Sequence, residues 1–538
     1  MRRFFLVAVI AAAVVSSVSG SAAAAPSLKQ VVAQHLHARW VSQGARGWLN
    51  PPRAAGAVGH AVPSSVTLGT NVDAADPNED LAAGQSETAI DATTSGRVMV
   101  AWNDATGFLV QPTNRLLASL TGVGYSNDGG QSFTDLVGLR NPNSDQQWSG
   151  DPAVVAIDNG AHFIVGSLYL PSPAACSDGK PAQLAVAVEV VTPTASGVSM
   201  GKPVIVSPAG NVCTLINGDG AVTPNNIAFL DKDYLAWDQT SRTLAVSFTR
   251  FFISGSHTGQ GAINLARAHV PVNAGSLTSA NFHTASIWHE EPLTENEGAY
   301  VALAPGGDAY VAWERNIDSS LFNGDPRIYE HVAFIPRDAN TPVAGGQDHP
   351  VVVTKGQVNS SAVGGVRSLG TVPIAGYNRG TGNDFPRIAW NKATGRVEVA
   401  WNDASLHPLG DIWLRSYSAQ LGNPSPIVQV NDDSDFTLHF LPALSVRSNG
   451  HTCTSWYDRR RFGPDSAHTD YFGECRAAIG TQGADFRITT GATDWTNTSS
   501  LIFPNFGDYT DSASAGTTTY YTWSDGRLGV PQPFTDHH

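Results

Sequence analysis

The stretch from Phe385 to Asp403, FPRIAWNKATGRVEVAWND, constrains the fold more than any other. It reads as a β-hairpin: an apolar run, a turn at Gly395, and a second apolar run ending in Trp401. Six further copies of the pattern begin at Ser86, Asp151, Asp233, Ala299, Pro442 and Ser512. Trp102, Ser167, Phe248, Trp313, Trp401, Trp456 and Trp523 hold equivalent places in them, between 55 and 88 residues apart.

That spacing leaves room for two more strands after each hairpin, which makes one four-stranded propeller blade per copy. WD40 repeats, at ~40–45 residues, are too short to match. The second strand of each copy is almost continuously apolar, as in Val98 to Trp102. That is expected of a sheet covered on both faces by neighbouring sheets. The expectation is an all-β propeller of seven four-stranded blades, with six as the alternative if one copy is degenerate. Charged residues are only 14% of the chain and glycine is abundant, which suits many short strands joined by turns. Only 15 residues follow Trp523, and Pro531 and Pro533 among them disfavour a strand. The last blade is therefore expected to lack its outer strands. Ser64 to Asn71, SSVTLGTN, is expected to complete it and close the ring.

The first 25 residues read as a signal peptide. Arg2 and Arg3 precede an apolar run from Phe4 to Val18, and Ala23-Ala24-Ala25 supplies the small-residue cleavage site. Residues 26–63 lack the repeat and read as an extension, with a short amphipathic helix over Leu28 to Val41. Residues 64–538 are the propeller. No later run reaches membrane-spanning length, so the expected protein is secreted and extracellular. Loss of Arg2 and Arg3 makes the formal charge of −14 more negative by two. An acidic surface repels nucleic acid and anionic membranes, so neither is an expected partner. A monomer is the favoured state. Four cysteines in an exported chain suggest disulfides. Of three connectivities the local one, Cys176 with Cys213 and Cys453 with Cys475, closes loops within or next to one repeat. No CxxC or HxxxH spacing favours a metal site at these cysteines.

After the first hairpin comes Ser126-Asn127-Asp128-Gly129-Gly130-Gln131-Ser132-Phe133, which fits S-x-D-x-G-x-[ST]-[WF] at every defined position. Asp128 can accept backbone N–H groups inside the turn, Gly130 permits positive φ, and Phe133 can pack on the sheet. With the segments GDPAVVAID, FLPALSV…WYDRR and FGDYTDSASA…WSDGR, this resembles the BNR/Asp-box repeats of secreted sialidase-like β-propellers. The resemblance implies the fold over roughly residues 64 to 527 and a glycan or glycoconjugate as partner. It gives Ser126, Asp128, Gly130 and Phe133 a structural role in the turn.

Propeller geometry places the residues before each inner strand, and those after each second strand, at one end of the axis. Glu87, Asp151, Asp233, Glu297, Asp384, His439, Asp508 and Tyr509 stand before inner strands. Asp104, Arg250, Arg315, Asp403, Asp458, Arg460 and Arg527 stand after second strands. The turns at the other end are small and uncharged or nearly so, which makes the first end the expected working face.

Three readings follow. A sialidase-type glycosidase is implied by the resemblance: Arg315, Arg460 and Arg527 would clamp a substrate carboxylate. In that reading Tyr509 is the nucleophile, Glu297 its activator, Asp151 the acid, and Asp508 joins the catalytic set. Asp384 and Asp104 would be substrate contacts. The family's R-I-P motif has no counterpart over Val66 to Glu87; Phe385-Pro386-Arg387-Ile388 has similar letters in another blade. A uronate lyase on the same fold would use His439 and Tyr509. A non-catalytic glycan- or protein-binding propeller is the third reading, its carboxylates holding Ca²⁺ if any metal is bound. No cofactor is required by any of them.

Overall fold

The computed structural model describes residues 71–76, 84–106, 119–143, 146–171, 184–195, 197–207, 228–252, 260–288, 294–317, 327–340, 354–357, 372–404, 407, 409–433, 437–463 and 465–538. The signal peptide, the extension, and Cys176 and Cys213 lie outside them.

Each repeat folds into its own antiparallel sheet, and the seven sheets are the blades of a propeller. Blade 1 begins with Gln85–Ala92 as its inner strand and Val98–Asp104 as its second; blade 2 with Ala153–Ile157 and His162–Leu170. Blade 3 begins with Ala228–Asp238 and Thr243–Phe252, and blade 4 with Thr294–Leu303 and Ala309–Ile317. Blade 5 begins with Arg387–Asn391 and Arg396–Asp403, and blade 6 with His439–Val446 and Thr452–Asp458. Blade 7 begins with Asp511–Ala515 and Thr518–Asp525. Every inner strand touches the inner strands of its two neighbours, so the ring closes on itself.

The repeated tryptophan shows why the pattern gives this architecture. Trp102, Trp313, Trp401, Trp456 and Trp523 are at most 1% exposed, wedged where the faces of adjacent blades meet. Truncating such a side chain to alanine costs about 3–5 kcal/mol. In blades 5, 6 and 7 the indole also donates to the aspartate two residues on. Trp401 Nε1 reaches Asp403 at 3.0 Å, Trp456 reaches Asp458 at 2.9 Å, and Trp523 reaches Asp525 at 2.7 Å.

Ring closure departs from the expectation in one respect. Blade 7 does have a third strand, Gln532–His537, paired along Thr518–Asp525 in spite of its prolines. Pro531 precedes the strand and Pro533 is its second residue, where a missing N–H is tolerated. Both carbonyls still accept, from Gln85 N and Ala74 N, each at 2.9 Å. The fourth strand is Val72–Asp73, with Val72 opposite Thr535 and Asp73 opposite Phe534. The segment expected in that role, from Ser64, lies outside the described residues up to 70. Its last residue, Asn71, ties the edge to blade 6 through Ile488 O at 2.9 Å and Thr490 N at 2.7 Å. Cys453 and Cys475 are disulfide-bonded across the second and third strands of blade 6.

The Ser126–Phe133 turn is held by Asp128. Its Oδ1 accepts Gln131 N and Ser132 N, both at 3.0 Å, and its Oδ2 accepts Ser132 Oγ at 2.6 Å. Partial burial opposes ionisation, but these bonds and one from Ser126 hold the carboxyl below its usual pKa.

Candidate functional site at the propeller axis

The inner strands do not run straight to the axis. The register slips between Ser86 and Ala89 in blade 1, Asp231 and Tyr234 in blade 3, Glu297 and Tyr300 in blade 4, and Phe440 and Ala443 in blade 6. Each slip is a β-bulge with one residue in the left-handed region: Glu87 (φ 54°), Lys232 (53°), Gly298 (65°) and Leu441 (52°). Asp151 (55°) and Gly507 (84°) stand just before the inner strands of blades 2 and 7. This backbone costs a non-glycine residue of order 1–2 kcal/mol, and such strain concentrates at functional sites. Gly507 allows close approach: a methyl group there would lie 2.7 Å from Glu87 N.

The bulges turn charged side chains toward one another. Lys232 Nζ lies 2.6 Å from Asp508 Oδ2, 3.3 Å from Asp151 Oδ2 and 3.6 Å from Glu87 Oε1. Asn103 fixes two of these groups, donating from Nδ2 to Glu87 Oε2 at 2.5 Å and accepting Asp151 N on Oδ1 at 2.6 Å. Asp508 N donates to Glu87 Oε1 at 3.1 Å. Glu87 and Asp151 are 0% exposed, Asp508 1% and Lys232 3%, so the interactions act in a medium of low polarity.

Residues 372–384 pack against this cluster as a strap. Arg379 forms an ion pair with Asp508 Oδ1. Tyr377 donates to Gly507 O at 2.9 Å, and Asn383 Nδ2 to Asp508 O at 3.0 Å. Asn378 and Asn505 exchange backbone N–H to side-chain bonds at 3.1 and 3.0 Å.

Burial divides the protonation states. It raises the pKa of Glu87 well above the carboxylate range; the charge of Asp151 adds to the rise, and Lys232 only partly offsets it. Burial, then Asp151, does the same to Asp233. Burial alone would lower the pKa of Lys232, but Asp151, Glu87 and Asp231 outweigh it and keep the ammonium charged. Such a set can give a proton and present carboxylates within one small volume.

Beneath the cluster, Arg387 occupies the axis. Its guanidinium lies 3.8 Å from the ring centre of Tyr300, 5.5 Å from Tyr509 and 5.9 Å from Tyr234. It donates to Pro442 O at 3.0 Å and Thr510 O at 2.5 Å. Tyr234 donates to Asp511 Oδ1 at 3.0 Å. Burial raises Asp511 to a pKa of about 6 against the opposing pull of Arg387.

Of the residues expected to carry the chemistry, Asp151 and Asp508 meet in the cluster, and Tyr509 is their neighbour. Tyr509 donates to Pro152 O at 3.1 Å, and burial, then Glu87 and Asp151, raises its pKa well above that of a free phenol. Those influences oppose a phenolate nucleophile. After burial, the largest influences on it are Glu87, Asp151, Tyr300 and Asp233. Glu297 instead stands opposite Glu314, which stands opposite Glu330, across blade 4. Asp384 donates its N–H to Glu314 at 3.1 Å and accepts Asn402 Nδ2 at 3.1 Å.

The three arginines are not gathered. Arg460 binds Asp458, Asp432 and Asp485 at 2.8, 2.9 and 2.6 Å. Arg527 binds Asp525 at 2.5 Å and Asn71 at 3.0 Å. Arg315 lies 5.9 Å above the ring of Trp288 in the neighbouring blade. Arg460 and Arg527 share no contact among the described residues, because the tryptophan-anchored aspartate of each blade captures its own arginine. Asp104 accepts Thr106 N at 2.8 Å within its own loop. His439 lies 3.2 Å from Asp433 and 3.4 Å from Asp458, away from Tyr509; burial lowers its pKa, but these carboxylates outweigh burial and raise it. Among the described residues no group of three or more His, Cys, Asp or Glu is arranged to hold a metal ion. Nor is any helix long and apolar enough to cross a membrane.

No family model matches the chain, and no curated protein is significantly similar to it. Solved structures of similar shape include an α-L-arabinanase of Penicillium chrysogenum complexed with arabinobiose. It is 9% identical at a TM-score of 0.44, over 88% of this chain and 98% of that one. The α-L-arabinofuranosidase of Fusarium graminearum with arabinobiose is 9% identical at 0.42, over 89% and 98%. The Trypanosoma rangeli sialidase with sialic acid is 12% identical at 0.39, over 77% and 58%.

Proposed function

We propose that this chain is an exported glycoside hydrolase acting on extracellular glycans. One observation carries the reading: Glu87, Asp151 and Asp508, from blades 1, 2 and 7, converge on Lys232 at one end of the axis, with Glu87, Asp151 and Lys232 on strained backbone. Glycoside hydrolysis needs one carboxylic acid that keeps its proton and one carboxylate that stabilises or attacks the sugar cation. Glu87, raised by burial and by Asp151, is the acid for the leaving oxygen. Asp508, ion-paired to Lys232 and Arg379, is the carboxylate. Substrate reaches the buried cluster when the 372–384 strap moves off it. The leader of Arg2, Arg3 and Phe4 to Val18 supports export.

The test is the exported chain on a panel of oligosaccharides, read by reducing ends and by unsaturated-uronate absorbance. Reducing ends without the uronate signal are the expected result, and Glu87→Gln lowers the rate by roughly 10²–10⁴-fold. A uronate signal moves the assignment to a lyase. The complete burial of the cluster favours a second reading, a glycan-binding propeller whose ion pairs pin the axis. Retention on immobilised glycans with no product in either channel selects it.

A further inference from the structure

We propose that Lys232 is the positioning residue of the axial cluster: its ammonium sits closest to Asp508 and Asp151 and thereby leaves Glu87, the farthest of the three, as the group that carries the proton. The proposal deepens the hydrolase reading, and it rests on that reading only for the use made of the proton.

One ammonium sits among the carboxyls at graded distances, 2.6 Å to Asp508, 3.3 Å to Asp151 and 3.6 Å to Glu87. Attraction in a buried site falls with distance and is weakly screened, so the nearest carboxyl is ionised first. Asp508 has Arg379 as a second cation on its other oxygen, and Tyr377 Oη and Asn383 Nδ2 each at 3.4 Å. Glu87 has the most distant contact with Lys232, the neutral donors Asn103 Nδ2 and Asp508 N, and Asp151 beside it. Asp231 and Asp233 flank Lys232 in sequence, and Asp233 faces Asp151. Tyr509 and Tyr300 close the lower side and stay neutral. Four buried carboxyls, Glu87, Asp151, Asp508 and Asp233, therefore crowd two cations, Lys232 and Arg379. Protons must make up the balance, and the position of the cations decides which carboxyls take them.

The backbone points the same way. Lys232 takes φ 53° at the bulge where blade 4 has glycine, a strain that delivers its ammonium to the axis.

The test is infrared difference spectroscopy of the full chain, following the carboxylic-acid C=O band between about pH 5 and 9. It reads protons directly and needs no turnover, so a failed glycan assay and a failed proton assignment remain distinct outcomes. Glu87→Gln is expected to remove one protonated-carboxyl band at neutral pH. Lys232→Met is expected to add at least one, as a carboxyl left without its cation takes up a proton, and Lys232→Arg to restore the original bands. The proposal is overturned if Glu87→Gln removes no band, or if a folded Lys232→Met keeps the original number. Should Lys232→Met fail to fold, the Glu87→Gln and Lys232→Arg spectra decide alone: a Glu87→Gln spectrum that loses no band, or a band gained in the arginine variant, contradicts it.

Discussion

At the scale of the residue, burial sets the chemistry more than sequence neighbours do. Glu189 shows this outside the axis. It is 1% exposed, its Oε2 has no hydrogen-bond partner among the described residues, and burial raises its pKa to about 8 against the pull of Arg140. A carboxyl raised on folding holds its proton in the native state at pH values where the unfolded chain has released it. Stability is therefore lost as pH rises from the ordinary glutamate value toward 8. Glu189→Gln is expected to melt higher than the parent at pH 8 to about 9 and to differ little near the ordinary carboxylate pKa; melting curves against pH measure it. Equal slopes for both proteins contradict the assignment. At the axis, Lys232→Met leaves carboxylates without their cation, a loss of about 3–5 kcal/mol for a broken buried pair, measured by urea unfolding. Some of this site is legible before folding: Asp151 and Asp508 stand at the starts of repeats, where geometry gathers side chains. Lys232 and Arg379 are not. Lys232 reaches the axis only through its bulge, and Arg379 comes from a strap that belongs to no repeat.

At the scale of the element, the Trp-x-Asp endings that look like a ring of functional carboxylates are braces. Trp401→Phe keeps the aromatic volume but removes the indole donor to Asp403. The expected cost is about 1–3 kcal/mol by urea unfolding; an unchanged midpoint argues against the brace. The same bracing explains why Arg460 and Arg527 stay on their own blades. Position after a second strand does not reveal their partners. The disulfide braces blade 6 in the same way. Replacing both Cys453 and Cys475 with serine opens a loop with a sequence separation of 22, an expected loss of about 2–4 kcal/mol. Parent-like stability in the double variant sets that expectation aside. Apolar alternation and turn glycines made the hairpins readable. The bulges were not, because one inserted residue leaves the pattern on either side intact.

At the scale of the whole molecule, seven repeats make a ring whose last sheet takes a strand from each end of the described chain. A chain begun at Gly84 lacks Val72–Asp73 and exposes the edge of Gln532–His537. It is expected to melt lower and to associate through that edge, seen by calorimetry and sedimentation; an unchanged, monodisperse protein contradicts the closure. The repeats announced the ring because each carries its own buried wedge. The third strand of blade 7 escaped notice because two prolines masked it. The ring's consequence is that Glu87, Asp151, Lys232 and Asp508, remote along the chain, act as one group. The most direct measurement is the hydrolytic rate of Glu87→Gln against the parent on the best oligosaccharide, with both melting alike. The account predicts a fall of about 10² or more; equal rates would contradict it.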